Sequence, residues 1–479
     1  MRPVVNSRVL SRLEVVATPR TFAIRTFGCQ MNEHDSERLA GLLIGDGMVP
    51  AASDLEADVV VFNTCTIREN ADLKLYSALG QLKQLKEQRP QMQIAVGGCM
   101  AQKDRGEILK RAQWVDVVFG THNLASAPSL LRRSRSEGPL VEVLDAPDPE
   151  ANREMAPALY AVRELPYAAW MTIQTGCDNS CAYCIVPAVR GGEISRPLRD
   201  LVDEATMLAS SGVSEITVLG QNVNSYGRDI TKRGPLFAQL LRALGEVDGI
   251  ERIRFVSPHP KDLRPETVAA MAETQAVCNQ LHLPLQSGSN RVLSAMRRGY
   301  TAERYMERLA GARRGIDDLA VTTDIIVGYP GETDTEFDET LEVAAAAEFD
   351  SAYTFIFSPR PGTRAALMVE DFVPEAVIKE RFERLKEVLD RSALRKHEAR
   401  VGRREEVLVE GPSKRNAQML SGRTRQGKLV HFPVTAEPLR AGALVTLDVV
   451  HGAPYHLRGE LSSVVRGPRH KIRIPLLSS

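Results

Sequence analysis

The sequence predicts an α/β protein in three parts: an N-terminal parallel-sheet α/β domain, a partial (β/α)6 barrel and a small C-terminal β-barrel. Three observations predict this fold class. Strand-length apolar runs alternate with helical patterns over residues 21–120, the alternation resumes near residue 168 for six more units, and short strand-like runs fill residues 401–465. Alternating strands and helices indicate βαβ units with a parallel sheet, whereas consecutive short strands between Gly-rich and charged turns indicate a small barrel.

Length and composition are those of a multidomain globular protein. The chain has 479 residues, of which 43% are hydrophobic and 25% charged, and no apolar run reaches the length of a membrane span. Basic and acidic residues are equal in number, which argues against a uniformly basic nucleic-acid binder, although residues 400–479 hold 14 Lys and Arg against 6 Asp and Glu. No secretory signal is recognisable at the N-terminus, so we expect a cytoplasmic protein whose cysteines bind metal rather than form disulfides.

Residues 21–140 are predicted to form an open parallel sheet. The strand-like runs are TFAIRTF, ADVVVFNT, MQIAVGG and the shorter VDVVFG. The segments HDSERLAGLLIGDG and ENADLKLYSALGQLKQLKEQ between them carry apolar residues at helical spacing. Residues 1–20 are predicted to be an N-terminal extension, and residues 141–165 a linker, because DAPDPEANREMAP shows little periodicity.

Residues 166–398 are predicted to form the partial barrel. The strand-like runs are AAWMTIQTG, EITVLGQN, RIRFVSP, QLHLPLQSG, AVTTDIIVGYP and SAYTFIFSP, with helical segments between them. Six strand–helix units are fewer than the eight of a complete barrel. Polar turns follow the strands, and this is the face at which such barrels carry their active sites.

Residues 399–465 are predicted to form an OB-like barrel, followed by a basic tail over residues 466–479. The five strand-like runs are EEVLVEG, QMLSGRT, KLVHFPV, ALVTLDVVHG and HLRGEL. A set of cations in this part is predicted to face RNA phosphates, with ordinary solvated charge as the alternative. The set is Lys414, Arg415, Arg423, Arg425 and Lys428.

Three cysteines lie within eight residues, in the first strand-end turn of the predicted barrel. This compact trio is Cys177, Cys181 and Cys184. A structural zinc site generally needs four ligands, and no fourth is close, since the next histidine is His259. Three thiolates on a four-iron cluster leave one iron open for a small molecule. The spacing therefore favours an iron–sulfur cluster over zinc.

Three other cysteines lie 36 and 34 residues apart, each just past a predicted strand. This dispersed trio is Cys29, Cys65 and Cys99. Because ligands of an open parallel sheet bind outside the carboxyl ends of its strands, the fold can bring these three thiols to one place. A cysteine at a strand end is more often a small buried residue, so the residues alone support a second cluster and three buried thiols equally. Cys278 has no partner pattern and is predicted to be a buried structural thiol.

Several polar residues at the predicted strand ends are candidate ligand contacts. They are Tyr183, Gln221, Ser257, Gln286 and Asp324. Tyr183 lies between two clustered cysteines, where its ring can pack against a base, whereas Ser257 and Gln286 are also compatible with turn formation. His282 alternates with leucines in LHLPL and is predicted to be a core residue rather than to point into the barrel. Thr333 is predicted to cap a helix that begins with acidic residues.

The run CDNSCAYC resembles the CxxxCxxC signature of radical S-adenosylmethionine enzymes. The dispersed trio upstream and the basic β-module downstream are similar to the methylthiotransferase branch of that family, over roughly residues 21–465. Further runs resemble the members of that branch that modify isopentenylated adenosine in tRNA: GCQMNEHDSER, GQNVNSYG, SPHP, MRRGYT, TDIIVGYPGET and SPRPGTRAA. One departure is that Ala188 and Val189 stand where the family usually has Tyr-Thr.

The resemblance implies two [4Fe-4S] clusters. The cluster on the compact trio would bind S-adenosylmethionine, with the five candidate contacts around it, and cleave it reductively to a 5′-deoxyadenosyl radical. An auxiliary cluster on the dispersed trio would hold or donate sulfur. The implied reaction is methylthiolation of carbon 2 of N6-isopentenyladenosine at tRNA position 37, next to the anticodon. We expect a monomer whose partners are the tRNA anticodon loop and an electron donor.

Two alternatives remain open. One is a methylthiotransferase for another substrate, either a tRNA with threonylcarbamoyl-adenosine or a ribosomal protein, although QMNEHDSE after the first cysteine argues against the ribosomal branch. The other is a zinc-containing RNA-binding protein without catalysis.

Overall fold

Three folded parts follow one another along the chain. The computed structural model describes residues 19–66, 71–146, 161–435 and 438–470. The predicted N-terminal extension up to residue 18, the predicted linker from 147 to 160 and the predicted tail from 471 onward lie outside the described residues. Within the described part of the chain, no helix is both long and apolar enough to cross a membrane.

The N-terminal part is a six-stranded, all-parallel sheet with the order β2-β1-β3-β4-β5-β6. Its strands are β1 (Thr21–Phe27), β2 (Val49–Pro50), β3 (Val59–Thr64), β4 (Gln93–Gly98), β5 (Val117–Phe119) and β6 (Leu140–Glu142). Its helices are α1 (Gln30–Gly45), α2 (Ala71–Gln88), α3 (Cys99–Asp104), α4 (Glu107–Arg111) and α5 (Ala127–Glu137). The four predicted strands are confirmed, while β2 and β6 are too short to show a pattern. Strand β6 extends past residue 140, into the predicted linker.

The central strands of this sheet are buried on both faces. Val60 and Phe62 of β3 pack in one apolar cluster, whereas Val59 and Val61 pack in the other. Successive side chains of a strand point to opposite faces, so a strand with helices on both sides is apolar at every position. This explains why β3 appears in the sequence as a continuous apolar run.

The middle part is an open barrel of six parallel strands in chain order. Two three-stranded sheets, β7-β10-β11 and β12-β13-β14, lie side by side, and a parallel bridge between Ile253 and Val277 connects them. The strands are β7 (Ala168–Thr172), β10 (Glu215–Leu219), β11 (Arg252–Phe255), β12 (Gln280–His282), β13 (Ala320–Val327) and β14 (Ser351–Ile356), with a short antiparallel pair β8 (Gln174–Thr175) and β9 (Ile194–Ser195). All six predicted barrel strands are confirmed. Among the described residues no strand pairing joins β7 to β14, so the barrel is partial.

Helices accompany the strands of this part. They are α6 (Val186–Arg190), α7 (Leu198–Ser210), α8 (Arg228–Thr231), α9 (Phe237–Gly245), α10 (Pro265–Glu273), α11 (Asn290–Ala295), α12 (Ala302–Gly315), α13 (Asp334–Ala347) and α14 (Glu375–Glu398). The predicted cap at Thr333 is confirmed: its hydroxyl accepts from the Glu336 backbone N–H, and the Glu336 carboxylate accepts from the Thr333 backbone N–H.

The C-terminal part is a closed five-stranded barrel with the order β15-β16-β17-β19-β18. Its strands are β15 (Arg404–Pro412), β16 (Met419–Thr424), β17 (Leu429–Pro433), β18 (Leu444–Ala453) and β19 (His456–Arg466), which confirms the five predicted runs. The turn between β16 and β17 is inserted against the amino-terminal end of the partial barrel. Arg254 on β11 donates to the carbonyl oxygens of Thr424 and Arg425.

Candidate active site

The dispersed trio lies at one edge of the N-terminal sheet. Cys29, Cys65 and Cys99 follow β1, β3 and β4, which are neighbours in the sheet. A hydrogen bond with the Cys65 side chain is the largest cause that lowers the pKa of Cys29, to about 6. The thiol of Cys99 lies within electrostatic reach of Cys29, although burial is the main influence on it and raises its pKa. The fold therefore brings the three thiols together, as the spacing of the strands predicted.

Two asparagines support the turns that carry the dispersed trio. The buried amide of Asn32 donates to Asn63 Oδ1 at 3.1 Å, and Asn63 donates back to the Asn32 carbonyl oxygen at 2.8 Å. Asn32 Oδ1 also lies 3.5 Å from Cys29 Sγ. Neither asparagine was predicted from the sequence as part of the site, although each lies within three residues of a cysteine.

The compact trio occupies the loop after β8. The Cys177 backbone N–H donates to the Gly191 carbonyl oxygen at 3.0 Å, and the Ala182 N–H donates to the Met296 carbonyl oxygen at 3.0 Å. Burial is the largest cause that raises the pKa of Cys177 to about 11 and of Cys184 to about 12. These thiols therefore release protons when a metal binds, because only the thiolate is a ligand.

A buried arginine lies beside each trio, and neither was predicted from the sequence. Arg298 donates from Nη1 to Cys181 Sγ at 3.4 Å. Arg190 pairs with Asp35 through a contact of 2.8 Å between Nη2 and Oδ2, and its charge favours the thiolate forms of Cys29 and Cys99. Arg298 lies in the run MRRGYT, which was noted only as part of the family resemblance. The sequence around Arg190 contains no pattern that indicates a role in the site.

Helix α6 connects the two trios. It begins two residues after Cys184, and Ile185 just before the helix and Val189 near its end both pack against the buried Cys99. The Val189 carbonyl oxygen accepts from the Thr121 hydroxyl at 2.6 Å, which ties the helix to the N-terminal sheet. The five-residue helix therefore contacts the dispersed trio while it is covalently continuous with the compact one.

The donor set of each trio fits a four-iron cluster better than zinc. In the described part of the chain, no three His, Cys, Asp or Glu side chains are close enough together to hold a single metal ion. A zinc ion needs all its ligands on one atom, whereas a cluster takes each thiolate on a different iron and so accepts a wider spacing. Three thiols with a buried guanidinium beside them suit the second arrangement.

A cavity of about 1600 Å³ fills the interior of the partial barrel and extends to α1 and to the C-terminal barrel. Ser257 and Asp324, two of the five predicted ligand contacts, line it. His282 lines it too, so its prediction as a core residue is wrong. Its Nδ1 lies 2.9 Å from Thr322 Oγ1, and its Nε2 lies 3.4 Å from Asp324 Oδ2. In a barrel strand, every second residue faces the interior, which here is an open cavity rather than packed core.

The other three candidate ligand contacts are not part of the cavity lining. Tyr183 packs in an apolar cluster with Met296 and Tyr329, and burial raises its pKa. Gln286 is buried and continues β12, since its N–H donates to the Asp324 carbonyl oxygen at 2.8 Å. Gln221 Oε1 is buried and accepts no hydrogen bond from any described residue.

The five cations predicted to face RNA do not form one surface. Lys414, Arg415 and Arg423 are exposed, and Arg423 pairs with Glu410. For the other two the prediction is wrong. Arg425 donates to the carbonyl oxygens of Gln275 and Val277, and Lys428 is buried with Nζ 2.6 Å from Asp350 Oδ1. Both hold the C-terminal barrel against the partial barrel. Cys278 is buried, as predicted.

Comparisons with known proteins agree with this architecture. The model of the uncharacterized protein family UPF0004 matches residues 21–120, and that of the radical SAM superfamily matches residues 171–344. The solved structure of the radical S-adenosylmethionine methyltransferase TsrM from Kitasatospora setae superposes with a TM-score of 0.55 at 14% identity, covering 73% of this chain and 76% of that one. At this identity the likeness shows the fold alone.

Curated relatives match most of the chain. The tRNA-2-methylthio-N(6)-dimethylallyladenosine synthase of Mycolicibacterium vanbaalenii is 52% identical over 91% of this chain and 87% of its own length. The protein of the same name from Nocardia farcinica is 51% identical over 91% of this chain and 88% of its own length. The chain belongs to the family of tRNA-2-methylthio-N(6)-dimethylallyladenosine synthases, which are radical SAM enzymes.

Proposed function

We propose that this enzyme methylthiolates carbon 2 of N6-isopentenyladenosine at tRNA position 37, next to the anticodon, with S-adenosylmethionine as methyl donor and radical source. The observation that carries the proposal is that two separate trios of thiols meet across one short helix, α6. A radical generator and a sulfur donor must be different centres, yet both must reach one carbon. The names of the relatives supply the substrate.

The residues present fit the cofactors that this reaction needs. Cys177, Cys181 and Cys184 would hold one [4Fe-4S] cluster with S-adenosylmethionine, and the dispersed trio would hold a second. When bound, these groups supply the radical, the sulfur and the methyl group. Two contacts support this proposal: Arg298 donates to Cys181, and Arg190 of α6 pairs with Asp35 of α1.

The cavity is the proposed site of the modified adenosine. Its volume exceeds that of an ordinary small-molecule pocket, which leaves room for a nucleoside beside S-adenosylmethionine. The target base must leave its stack to enter, as bases of single-stranded loops can. Asp324 and His282 offer polar atoms to it inside the barrel. The exposed Lys414 and Arg415 are proposed to contact tRNA phosphates from outside.

The test is a product analysis with anaerobically purified protein. We expect about eight irons per chain and as much sulfide, as for two four-iron clusters. Incubated with S-adenosylmethionine and dithionite, the protein should convert tRNA containing N6-isopentenyladenosine to the 2-methylthio nucleoside, measured by mass spectrometry of the digest. Conversion of threonylcarbamoyl-adenosine tRNA or of a ribosomal protein instead would overturn the substrate assignment. Colourless protein with bound zinc would overturn the enzyme assignment.

A further inference from the structure

One buried arginine differs from the others in what compensates its charge. Among the described residues five arginine side chains are buried, and four of them pair with a carboxylate: Arg190, Arg252, Arg381 and Arg400. The fifth is Arg298, which is 7% exposed and forms no ion pair with any described carboxylate. Because a buried charge is costly unless an opposite charge accompanies it, Arg298 requires a compensating group other than an acidic side chain.

The hydrogen bonds of Arg298 point to the compact trio. Its Nη1 donates to Cys181 Sγ at 3.4 Å, and its Nε donates to the Tyr300 hydroxyl at 3.3 Å. That hydroxyl donates in turn to the Leu285 carbonyl oxygen at 2.9 Å, so its lone pairs are oriented toward the guanidinium. Burial raises the pKa of Tyr300, so this phenol stays neutral and supplies no negative charge. Cys181 is therefore the hydrogen-bond partner of Arg298 that can become an anion.

The backbone fixes Arg298 beside the cysteine loop. Its N–H donates to the Leu293 carbonyl oxygen of α11 at 3.0 Å. Two residues earlier, the Met296 carbonyl oxygen accepts from the Ala182 N–H of the loop at 3.0 Å. The guanidinium and the thiol thus belong to two segments that are hydrogen-bonded to each other. A charge held in a buried position acts more strongly on its neighbour than a charge surrounded by water.

The charge beside the dispersed trio is compensated instead. Arg190 lies near Cys29 and Cys99, but its Nη2 pairs with Asp35 Oδ2 at 2.8 Å. The carboxylate opposes the field of the guanidinium at both thiols. The field of an uncompensated buried guanidinium therefore acts on the compact trio alone.

We propose that Arg298, oriented by Tyr300, raises the reduction potential of the four-iron cluster on the compact trio. Reduction by one electron adds one negative charge to a group held by three thiolates, so a fixed cation stabilises the reduced form over the oxidised form. Net charge and hydrogen bonds to the sulfurs both set the potential of an iron–sulfur cluster, and Arg298 contributes to both. This inference rests on the proposed function, because that function places the cluster on Cys177, Cys181 and Cys184.

The test measures the potential in the holoenzyme by a redox titration followed with electron paramagnetic resonance. The signal that changes when S-adenosylmethionine is added identifies the cluster on the compact trio, and its midpoint is then measured without S-adenosylmethionine. In Arg298→Gln the equilibrium constant for reduction should fall roughly tenfold, which is about 59 mV toward lower potential for one electron. Arg298→Lys keeps the charge and should shift the midpoint less. Arg297→Gln removes the neighbouring exposed charge, which water screens, and should leave the midpoint unchanged.

A second variant and a change of reductant examine the same contact. Tyr300→Phe removes the hydroxyl that accepts from Nε but retains the guanidinium, so its midpoint should lie between those of the wild type and Arg298→Gln. With dithionite, Arg298→Gln should cleave S-adenosylmethionine roughly tenfold more slowly than the wild type. The stronger reductant titanium(III) citrate should restore most of this rate, because it also reduces a cluster of lower potential.

Three results would overturn the inference. One is an unchanged midpoint in Arg298→Gln or, if that variant holds no cluster, in Tyr300→Phe. Another is an unchanged midpoint together with weaker binding of S-adenosylmethionine in equilibrium dialysis, which would assign Arg298 to that ligand. The third is a shift in Arg298→Lys or Arg297→Gln as large as that in Arg298→Gln, which would mean that the substitutions disturb the loop. A wild type without the resonance signal of a reduced four-iron cluster would instead contradict the proposed function.

Discussion

The compact and the dispersed trio each bring three thiols together, by different means. The compact trio comes from one loop, whose shape is set by contacts with Gly191 and Met296. The dispersed trio comes from the ends of three neighbouring strands, so its geometry is set by the register of a whole sheet. Their electrostatics differ as well: burial raises the pKa of Cys177 to about 11, whereas contact with Cys65 lowers that of Cys29 to about 6.

The difference indicates how each site depends on the rest of the chain. A loop motif can be carried by many scaffolds, because the ligands need only local geometry. A dispersed site requires the fold to be formed first and is therefore sensitive to changes far away in sequence. The proposed reaction requires the two sites to work at a fixed separation, and α6 together with α1 connects them.

The largest effect should come from removing one thiol of each trio. Cys181→Ala should lose reductive cleavage of S-adenosylmethionine entirely, whereas Cys65→Ala should retain cleavage and yield no methylthio nucleoside. Each variant should lose about half of the iron, since one four-iron cluster remains. Chromatography of 5′-deoxyadenosine and of the digested tRNA measures both activities. Cys278→Ala, at a buried thiol in neither trio, is the control. Full thiolation by Cys65→Ala would make the dispersed trio merely structural.

A matched pair of glycines tests how each trio is built. Gly98 precedes Cys99 and has φ 92°, and a Cβ added there would lie 2.4 Å from Asn63 Oδ1. Gly176 precedes Cys177 and has φ 76°, and a Cβ added there would lie 1.9 Å from the Gly192 carbonyl oxygen. Alanine should destabilise each site by roughly 2–6 kcal/mol, the sum of backbone strain and overpacking.

Each glycine variant should lose about half of the iron, and cleavage of S-adenosylmethionine should show which cluster it has lost. Gly98→Ala should still cleave S-adenosylmethionine, and Gly176→Ala should not. Gly47 has φ 87°, but a Cβ added there would have no neighbour within 4 Å. The control Gly47→Ala therefore imposes backbone strain without a steric clash and should keep both clusters. If Gly98→Ala lost both clusters, the two sites would not assemble independently.

The sequence predicted the strand ends well, because buried parallel strands leave continuous apolar runs and their turns carry the polar residues. It could not predict contacts between the three parts. Lys428 looks like a surface cation, yet it pairs with Asp350, which is 78 residues away. His282 alternates with leucines, a pattern that fits both a packed core residue and a residue that lines a cavity. Only the open interior of the barrel shows that it lines the cavity. Arg190 acquires its role from Asp35, across 155 residues of chain.

The ion pair between Asp35 and Arg190 tests whether the separation of the two trios matters. The side chain of Arg190 is 7% exposed and that of Asp35 is 14% exposed, so Asp35→Asn leaves a buried guanidinium without its carboxylate and should cost roughly 3 kcal/mol. We expect both clusters to assemble and S-adenosylmethionine to be cleaved, but with more 5′-deoxyadenosine per methylthio nucleoside than in the wild type. Asp338→Asn, whose exposed pair with Arg384 contributes little, should leave that ratio unchanged. An unchanged ratio in Asp35→Asn would show that α6 is held adequately without this pair.

The smallest effect concerns the pH dependence of the contact between the two parts that carry the trios. His34 of α1 is buried with Nδ1 2.8 Å from the Thr172 hydroxyl of β7, and burial lowers its pKa to about 3. The folded protein keeps this imidazole neutral, whereas the unfolded chain binds a proton below about pH 6.5, so stability is lost as the pH falls below that value. Because of this group, the free energy of unfolding should fall by about 2 kcal/mol when the pH is lowered from 7.5 to 5.0. Urea unfolding of the cluster-free protein should therefore show that the free energy of unfolding falls more steeply with decreasing pH in the wild type than in His34→Gln. The control His451→Gln, at an exposed histidine, should behave as the wild type. Parallel profiles for the wild type and His34→Gln would mean that water reaches this contact, and that α1 does not hold the dispersed trio rigidly against the partial barrel.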